Sequence, residues 1–186
     1  MRSIDEQGYH FEEWLTPKQI AEDVQQVADR INADYRDKEP LFVVVLNGAF
    51  VFAADLIRAL DKDIRCEQTF IRVSSYFGMA TTGQLEFIVP LQQVVDQRDV
   101  IIVEDIVDTG VTLNYLKSML IHRGAASIRI AALLDKTARR TVKDLKVDYV
   151  CFDIPDAFVV GYGLDYDQVY RNLPDIGVLA PRIYAE

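Results

Sequence analysis

The run IIVEDIVDTGVTL, residues 101–113, decides the fold. Together with the two residues before it, its first half reads DVIIVE (99–104), apolar at nearly every position. A strand covered on both faces of a parallel sheet has that pattern. DIVDTGVT (105–112) then reads as a turn, and residues 113–123 as a helix that Gly124 ends. Backbone N–H groups at the start of a helix have no intrahelical acceptor. Those of Asp108 to Thr112, with the hydroxyls of Thr109 and Thr112, therefore make an anion cradle sized for a monophosphate. Gly110 lets the ligand approach the backbone closely. Glu104 and Asp105 are acceptors for sugar hydroxyls or for a divalent cation. A carboxylate pair beside a phosphate cradle points to a ribose-5-phosphate site with magnesium. Asp-Thr-Gly alone would read as a capped helix start with two solvated acids, but the whole strand–turn–helix run favours a site. Neither G-x-x-x-x-G-K-[ST] nor G-x-G-x-x-G occurs, so it is neither a Walker loop nor a dinucleotide fingerprint.

The same alternation extends in both directions. Thr16-Pro17 followed by KQIAEDVQQVADRIN reads as a capped amphipathic helix, with Ile20, Val24, Val27, Ala28 and Ile31 at helical spacing. LFVVVL (41–46) is a buried strand, Asn47-Gly48 a turn, and FVFAADLIRAL a helix. CEQTFIRV (66–73) and LEFIVP (85–90) read as two strands of a flap around the polar loop SSYFGMATTGQ (74–84). SIRIAALLD (127–135) and VDYVCFDIP (147–155) are further strands. Strands alternating with helices imply an α/β fold, a mainly parallel sheet flanked by helices. The 186 residues suit a single domain, and no repeat or linker divides them.

Composition narrows the function. Lys plus Arg is 20 against 29 Asp plus Glu, a net charge of -9, which argues against a nucleic-acid binder. The two cysteines, Cys66 and Cys151, form no CxxC pair, so free thiols in a reducing cytoplasm are expected rather than zinc. The N-terminus has no signal-peptide pattern. No apolar run approaches the ~20 residues of a membrane span.

IIVEDIVDTGVTL strongly resembles the phosphoribosyl-diphosphate signature of type I phosphoribosyltransferases. VLNGAFVFAADL, SSYFGMATTGQ, LLDKTARR and FDIPDAFVVGYGLDYDQVYRNLP resemble the remaining segments of the hypoxanthine-guanine branch, collinear from residue 42 to 179. The resemblance implies a type I phosphoribosyltransferase fold with a smaller hood, to which residues 151–186 contribute, and a loop at 74–84 that closes over the site. It implies transfer of a phosphoribosyl group from 5-phosphoribosyl 1-diphosphate to a 6-oxopurine, with Mg2+, in a homodimer or homotetramer.

By the same resemblance, Asp108 is the general base near purine N7. Glu104, Asp105, Asp108, Thr109, Gly110, Val111 and Thr112 hold the ribose and its 5′-phosphate. Leu46, Asn47, Gly48 and Arg171 hold pyrophosphate, with a cis Leu46–Asn47 bond. Lys136 meets purine O6, Phe158 stacks on the base, Val159 uses its backbone on the base edge, and Leu164 lines the C2 side. Ser75 and Tyr76 begin the closing loop, and Glu104, Asp105 and Asp165 are metal ligands. Asn47 and Val111 stand where some relatives carry lysine. Phe158 also reads as core, and Arg171 and Asp165 as surface charges. Two other functions fit the same fold, an RNA-binding regulator and a noncatalytic nucleotide sensor. The charge of -9 weighs against the first, intact Asp108 and Lys136 against the second.

If the loop closes in catalysis, limited proteolysis within 76–84 is suppressed when both substrates are present. Unchanged cleavage would count against a closing loop.

Overall fold

The computed structural model describes residues 11–75 and 85–179. After β1 (Phe11–Leu15) comes α1 (Pro17–Asp34). Thr16 caps the helix: its hydroxyl accepts from Gln19 N–H at 3.3 Å, and its own N–H donates to the Gln19 side chain at 3.0 Å. β2 (Leu41–Leu46), α2 (Phe50–Ala59), β3 (Glu67–Ser75) and β4 (Leu85–Val89) follow. Next are β5 (Asp99–Val107), α3 (Val111–His122), β6 (Ser127–Asp135), β7 (Tyr149–Asp153), β8 (Val159–Val160) and β9 (Ile176–Leu179).

The main sheet has the order β4-β3-β2-β5-β6-β7, parallel except for the β3–β4 pair. Val44, Ile101, Val103 and Leu133 face one core, shared with Ile20, Ile31, Phe52 and Leu56 of α1 and α2. Val43, Ile102 and Ile130 face the other, against Leu113, Leu116 and Leu120 of α3. Both faces are covered, so the strands read as continuous apolar runs. The two-stranded flap is present as β3 and β4, with Ser75 opposite Leu85. The loop residues from 76 to 84, Tyr76 included, lie outside the described residues.

The structure differs from the sequence reading in several places. α3 starts at Val111, two residues earlier than read. β5 runs on to Val107, so Asp105, Ile106 and Val107 belong to the strand and not to a turn. The reason is β6, which stays paired through Ile106↔Leu134 and Val107↔Asp135 and holds the charged residues extended. The hood contains a small antiparallel sheet, β1-β9-β8, that takes one strand from the N-terminal side of the chain. Among the described residues, no helix is long and apolar enough to cross a membrane.

Candidate active site

The chain leaves β2 toward β3 on one side and leaves β5 toward β6 on the other. Such a reversal opens a crevice at the carboxyl ends of the two strands. Here β2 stays paired with β3 to Leu46↔Arg72 but with β5 only to Val44↔Val103. Beyond that point the strands part, with Leu46, Asn47 and Gly48 on one bank and residues 104–112 on the other.

Backbone and carboxylate meet closely across the crevice. The Leu46–Asn47 peptide is cis, as the resemblance implied. A Cβ added to Gly48 would lie 1.5 Å from Asp105 Oδ2, so position 48 has no room for a side chain. A Cβ on Gly163 would lie 2.2 Å from the Gly48 carbonyl oxygen, so the hood backbone rests directly on this turn. Arg171 donates to the Gly163 carbonyl at 2.7 Å and pairs with Asp165 at 2.7 Å. The expected pyrophosphate residues Asn47, Gly48 and Arg171 are therefore linked through Gly163. Asp165 is held by Arg171 and by the Gln168 N–H, 2.9 Å away.

On the opposite bank, Gly110 has φ +83 and precedes α3. At the start of α3, Asn114 N–H donates to the Gly110 C=O at 2.9 Å, and the amides ahead of it, at the helix start, can face an anion. Val111 is exposed, its N–H 3.5 Å from the Thr109 hydroxyl. The loop is propped from below. Buried Arg140 donates to the Asp108 and Leu145 carbonyls, both at 3.2 Å, and forms an ion pair with buried Asp135. Thr141 N–H donates to Thr109 C=O at 3.1 Å. A cavity of about 250 Å³ is lined by Glu104, Ile106, Asp108, Thr109, Gly110 and Thr112. Asp108 Oδ1 is buried and accepts no aligned hydrogen bond, although Arg139 Nε stands 3.0 Å from it.

The residues expected at the purine come from the end of β6 and the segment after β7. Lys136 follows β6 and is buried; its ammonium is 3.7 Å from Asp156. Phe158 meets Tyr166 edge to face, centroids 5.7 Å apart. Val159 and Leu164 are buried beside it. The sequence reading assigned no role to Arg139, Arg140, Asp135 or Asp156. An arginine pair just past an apolar strand end was the available signal. Ser74 and Ser75 belong to β3, which runs two residues into the stretch read as loop because it stays paired with β4.

Electrostatically, Glu104 and Asp105 oppose each other. Burial pushes the Glu104 carboxyl well above its ordinary range, and the Asp105 charge pushes it further. Burial also raises Asp105, with the Glu104 side chain and the Ile106 N–H opposing that rise. Two buried acids that resist ionisation call for a cation or for hydroxyl donors. As hard oxygen ligands they fit magnesium.

Comparison with known proteins agrees with this geometry. The family described as "Phosphoribosyl transferase domain" matches residues 11–167. The hypoxanthine-guanine phosphoribosyltransferase of Streptococcus thermophilus (strain CNRZ 1066) is 45% identical over 171 residues, covering 91% of this chain and 93% of that protein. That of Bacillus subtilis (strain 168) is 45% identical over 172 residues, with coverages of 91% and 93%. The crystal structure of a hypoxanthine phosphoribosyltransferase from Staphylococcus aureus superposes with a TM-score of 0.88 at 40% identity, covering 94% of each chain.

Both site carboxyls titrate above their unfolded values, so the folded chain holds more protons than the unfolded chain as pH rises. Stability is therefore full below the unfolded value of about 4 and falls as pH climbs through the raised ones. Glu104→Gln keeps an acceptor for the Asp105 N–H, 3.3 Å away, and removes one of the two charges. In chelator, the melting temperature of this variant exceeds the parent's at neutral pH, and the gap closes toward about pH 4. An equal or lower value at neutral pH would contradict the shift.

Proposed function

We propose, for a chain that belongs to the phosphoribosyltransferase family, a division of its site into sugar, pyrophosphate and purine duties. The protein is a purine-salvage hypoxanthine-guanine phosphoribosyltransferase: it transfers the 5-phosphoribosyl group to hypoxanthine or guanine, giving IMP or GMP and pyrophosphate. The bond from C1 of the sugar to the diphosphate oxygen breaks as the purine nitrogen bonds to C1, and positive charge builds on the sugar.

Glu104 and Asp105 accept from the ribose hydroxyls. The amides and hydroxyls of Asp108–Thr112 receive the 5′-phosphate, with Val111 contributing its backbone alone. The amides after Leu46, at Asn47 and Gly48, grip the departing pyrophosphate, and Arg171 adds a cation. Lys136 donates to O6, Phe158 stacks on the ring, Val159 meets the base edge through its backbone, and Leu164 closes the C2 side. Asp108 takes the proton from N7 as the base is transferred. The observation that carries this reading is the buried Asp108 Oδ1, which lacks a hydrogen bond and belongs to a residue lining the phosphate cavity. Arg139 balances its charge from 3.0 Å without an aligned hydrogen bond, which leaves the oxygen able to accept from a ligand donor.

Glu104 and Asp105 would hold one magnesium ion and Asp165 another, and the metal would supply neutralisation of negative charge on the leaving group. Ser75 and Tyr76 begin the segment that excludes water. The working unit is a cytoplasmic homodimer or homotetramer. Exposed Phe50 (47%), Phe70 (46%) and Ile88 (50%) are apolar surface of the kind that a second copy covers.

Loss of a general base costs ~10²–10⁴-fold in rate, so Asp108→Asn or Asp108→Ala lowers kcat at least ~10-fold, measured as pyrophosphate release with hypoxanthine. Near-normal turnover in either variant sinks the assignment. Because an ammonium cannot accept from a 6-amino group, adenine is a poor substrate in the same assay. Efficient adenine use would remove Lys136 from O6.

A further inference from the structure

We propose that Asp156, held in place by Arg139, is the positioning residue that aims the Lys136 ammonium at purine O6 and so sets selectivity for 6-oxopurines. The inference rests on the assignment of Lys136 and Asp108 above and extends it to two residues that touch no substrate.

The argument starts from burial. Lys136 is only 7% exposed, and a buried ammonium needs a counter-ion. The acids nearest in sequence are already engaged. Asp135 is paired with Arg140, and Asp153 accepts from the Thr137 hydroxyl. Asp156 remains, its Oδ1 3.7 Å from Lys136 Nζ. The same oxygen lies 3.2 Å from an Arg139 guanidinium nitrogen, and Arg139 Nε lies 3.0 Å from Asp108 Oδ1. Charges thus alternate along one chain: Asp108, Arg139, Asp156, Lys136. The chain starts in the turn after β5, passes the turn after β6 and ends between the β7–β8 connection and the end of β6.

The two ends of this chain are the groups assigned to neighbouring atoms of one ligand edge. A 6-oxopurine presents O6, an acceptor, beside N7–H, a donor. Lys136 supplies the donor and Asp108 the acceptor. A bound base therefore closes the charge chain into a ring, while the inner pair fixes the positions of its ends. Adenine offers a donor at position 6 and breaks the ring. Exposed ion pairs usually contribute little. This one differs because it anchors a buried cation at a shared oxygen. Without Asp156, the Lys136 ammonium has no partner at that oxygen to hold it and swings away to water.

The test is a double-mutant cycle on the intact protein with Asp156→Asn, Lys136→Met and the pair, plus Asp156→Glu. KM and kcat are read for hypoxanthine, adenine and 5-phosphoribosyl 1-diphosphate. Asp156→Asn is expected to raise KM for hypoxanthine about tenfold, leave KM for the activated sugar within about twofold, and narrow the preference for hypoxanthine over adenine. Asp156→Glu recovers most of the loss, and in the Lys136→Met background Asp156→Asn adds nothing further. An unchanged hypoxanthine KM in Asp156→Asn overturns the proposal, as does a cycle in which the two losses simply multiply. If Lys136→Met leaves hypoxanthine KM and adenine discrimination intact, the O6 assignment itself falls and the proposal with it. An impaired Lys136→Met with multiplying losses removes only the role of Asp156.

Discussion

The parting of β2 from β5 after Val44 and Val103 is the constraint on which the rest of the molecule depends. Up to that point the two strands lie side by side between two apolar cores. Beyond it, β5 keeps β6 as a neighbour but has lost β2, and the widening gap lies between a turn and a strand edge. Polar groups can be buried there because a ligand is meant to complete them. The cost appears in Glu104 and Asp105, acids whose ionisation burial opposes. A fold optimised for stability alone would place apolar residues at both positions. The two cores supply the burial that lets the strand end carry these charges.

The overall charge of -9 is at odds with a substrate that carries phosphate and diphosphate. The site resolves the conflict locally. The phosphate is offered backbone amides, which are oriented dipoles fixed by the fold and independent of net charge. Arg140 could have been a free cation for it, but that arginine is spent on Asp135 and on the Asp108 and Leu145 carbonyls. It sets the shape of the phosphate turn from beneath. Arg171 is shared between Asp165 and the Gly163 carbonyl, which rests on Gly48. Among the described residues Arg140 and Arg171 are both paired, so in the proposed reading the fixed backbone geometry carries much of the selectivity for anions.

Most of this architecture was legible in the sequence, because doubly covered strands must be apolar throughout. LFVVVL and SIRIAALLD correspond to β2 and β6 residue for residue. The end of β5 was not legible. Asp105, following Glu104, looks like the start of a turn, and only the pairing of Ile106 and Val107 with β6 keeps it extended. The hood sheet was hidden for a different reason. β1 meets β9 as Phe11↔Leu179, a pairing between the two ends of the chain that no local pattern announces. β8 is two residues long, too short for a period. The ion pairs of Arg139 likewise join segments distant in sequence, so its neighbours could not be read from its own surroundings.

The site is built by two different means on its two sides, and this bears on how such an enzyme can change. In the proposed reading, sugar phosphate and pyrophosphate are met largely by main chain at Asn47, Gly48 and 108–112, where a substitution leaves the contacting N–H in place. On that reading the side chains of Asn47 and Val111 are free to vary. The glycines are the exception, because at Gly48 and Gly110 an added Cβ would collide with Asp105 or with Leu145. In the same reading the purine is met by side chains, Lys136, Phe158 and Asp108, whose placement depends on neighbours in other loops. Altering those neighbours can change which base is accepted without disturbing the sugar turn. Selectivity for the base is thus physically separable from the phosphoribosyl chemistry, although both meet at Asp108.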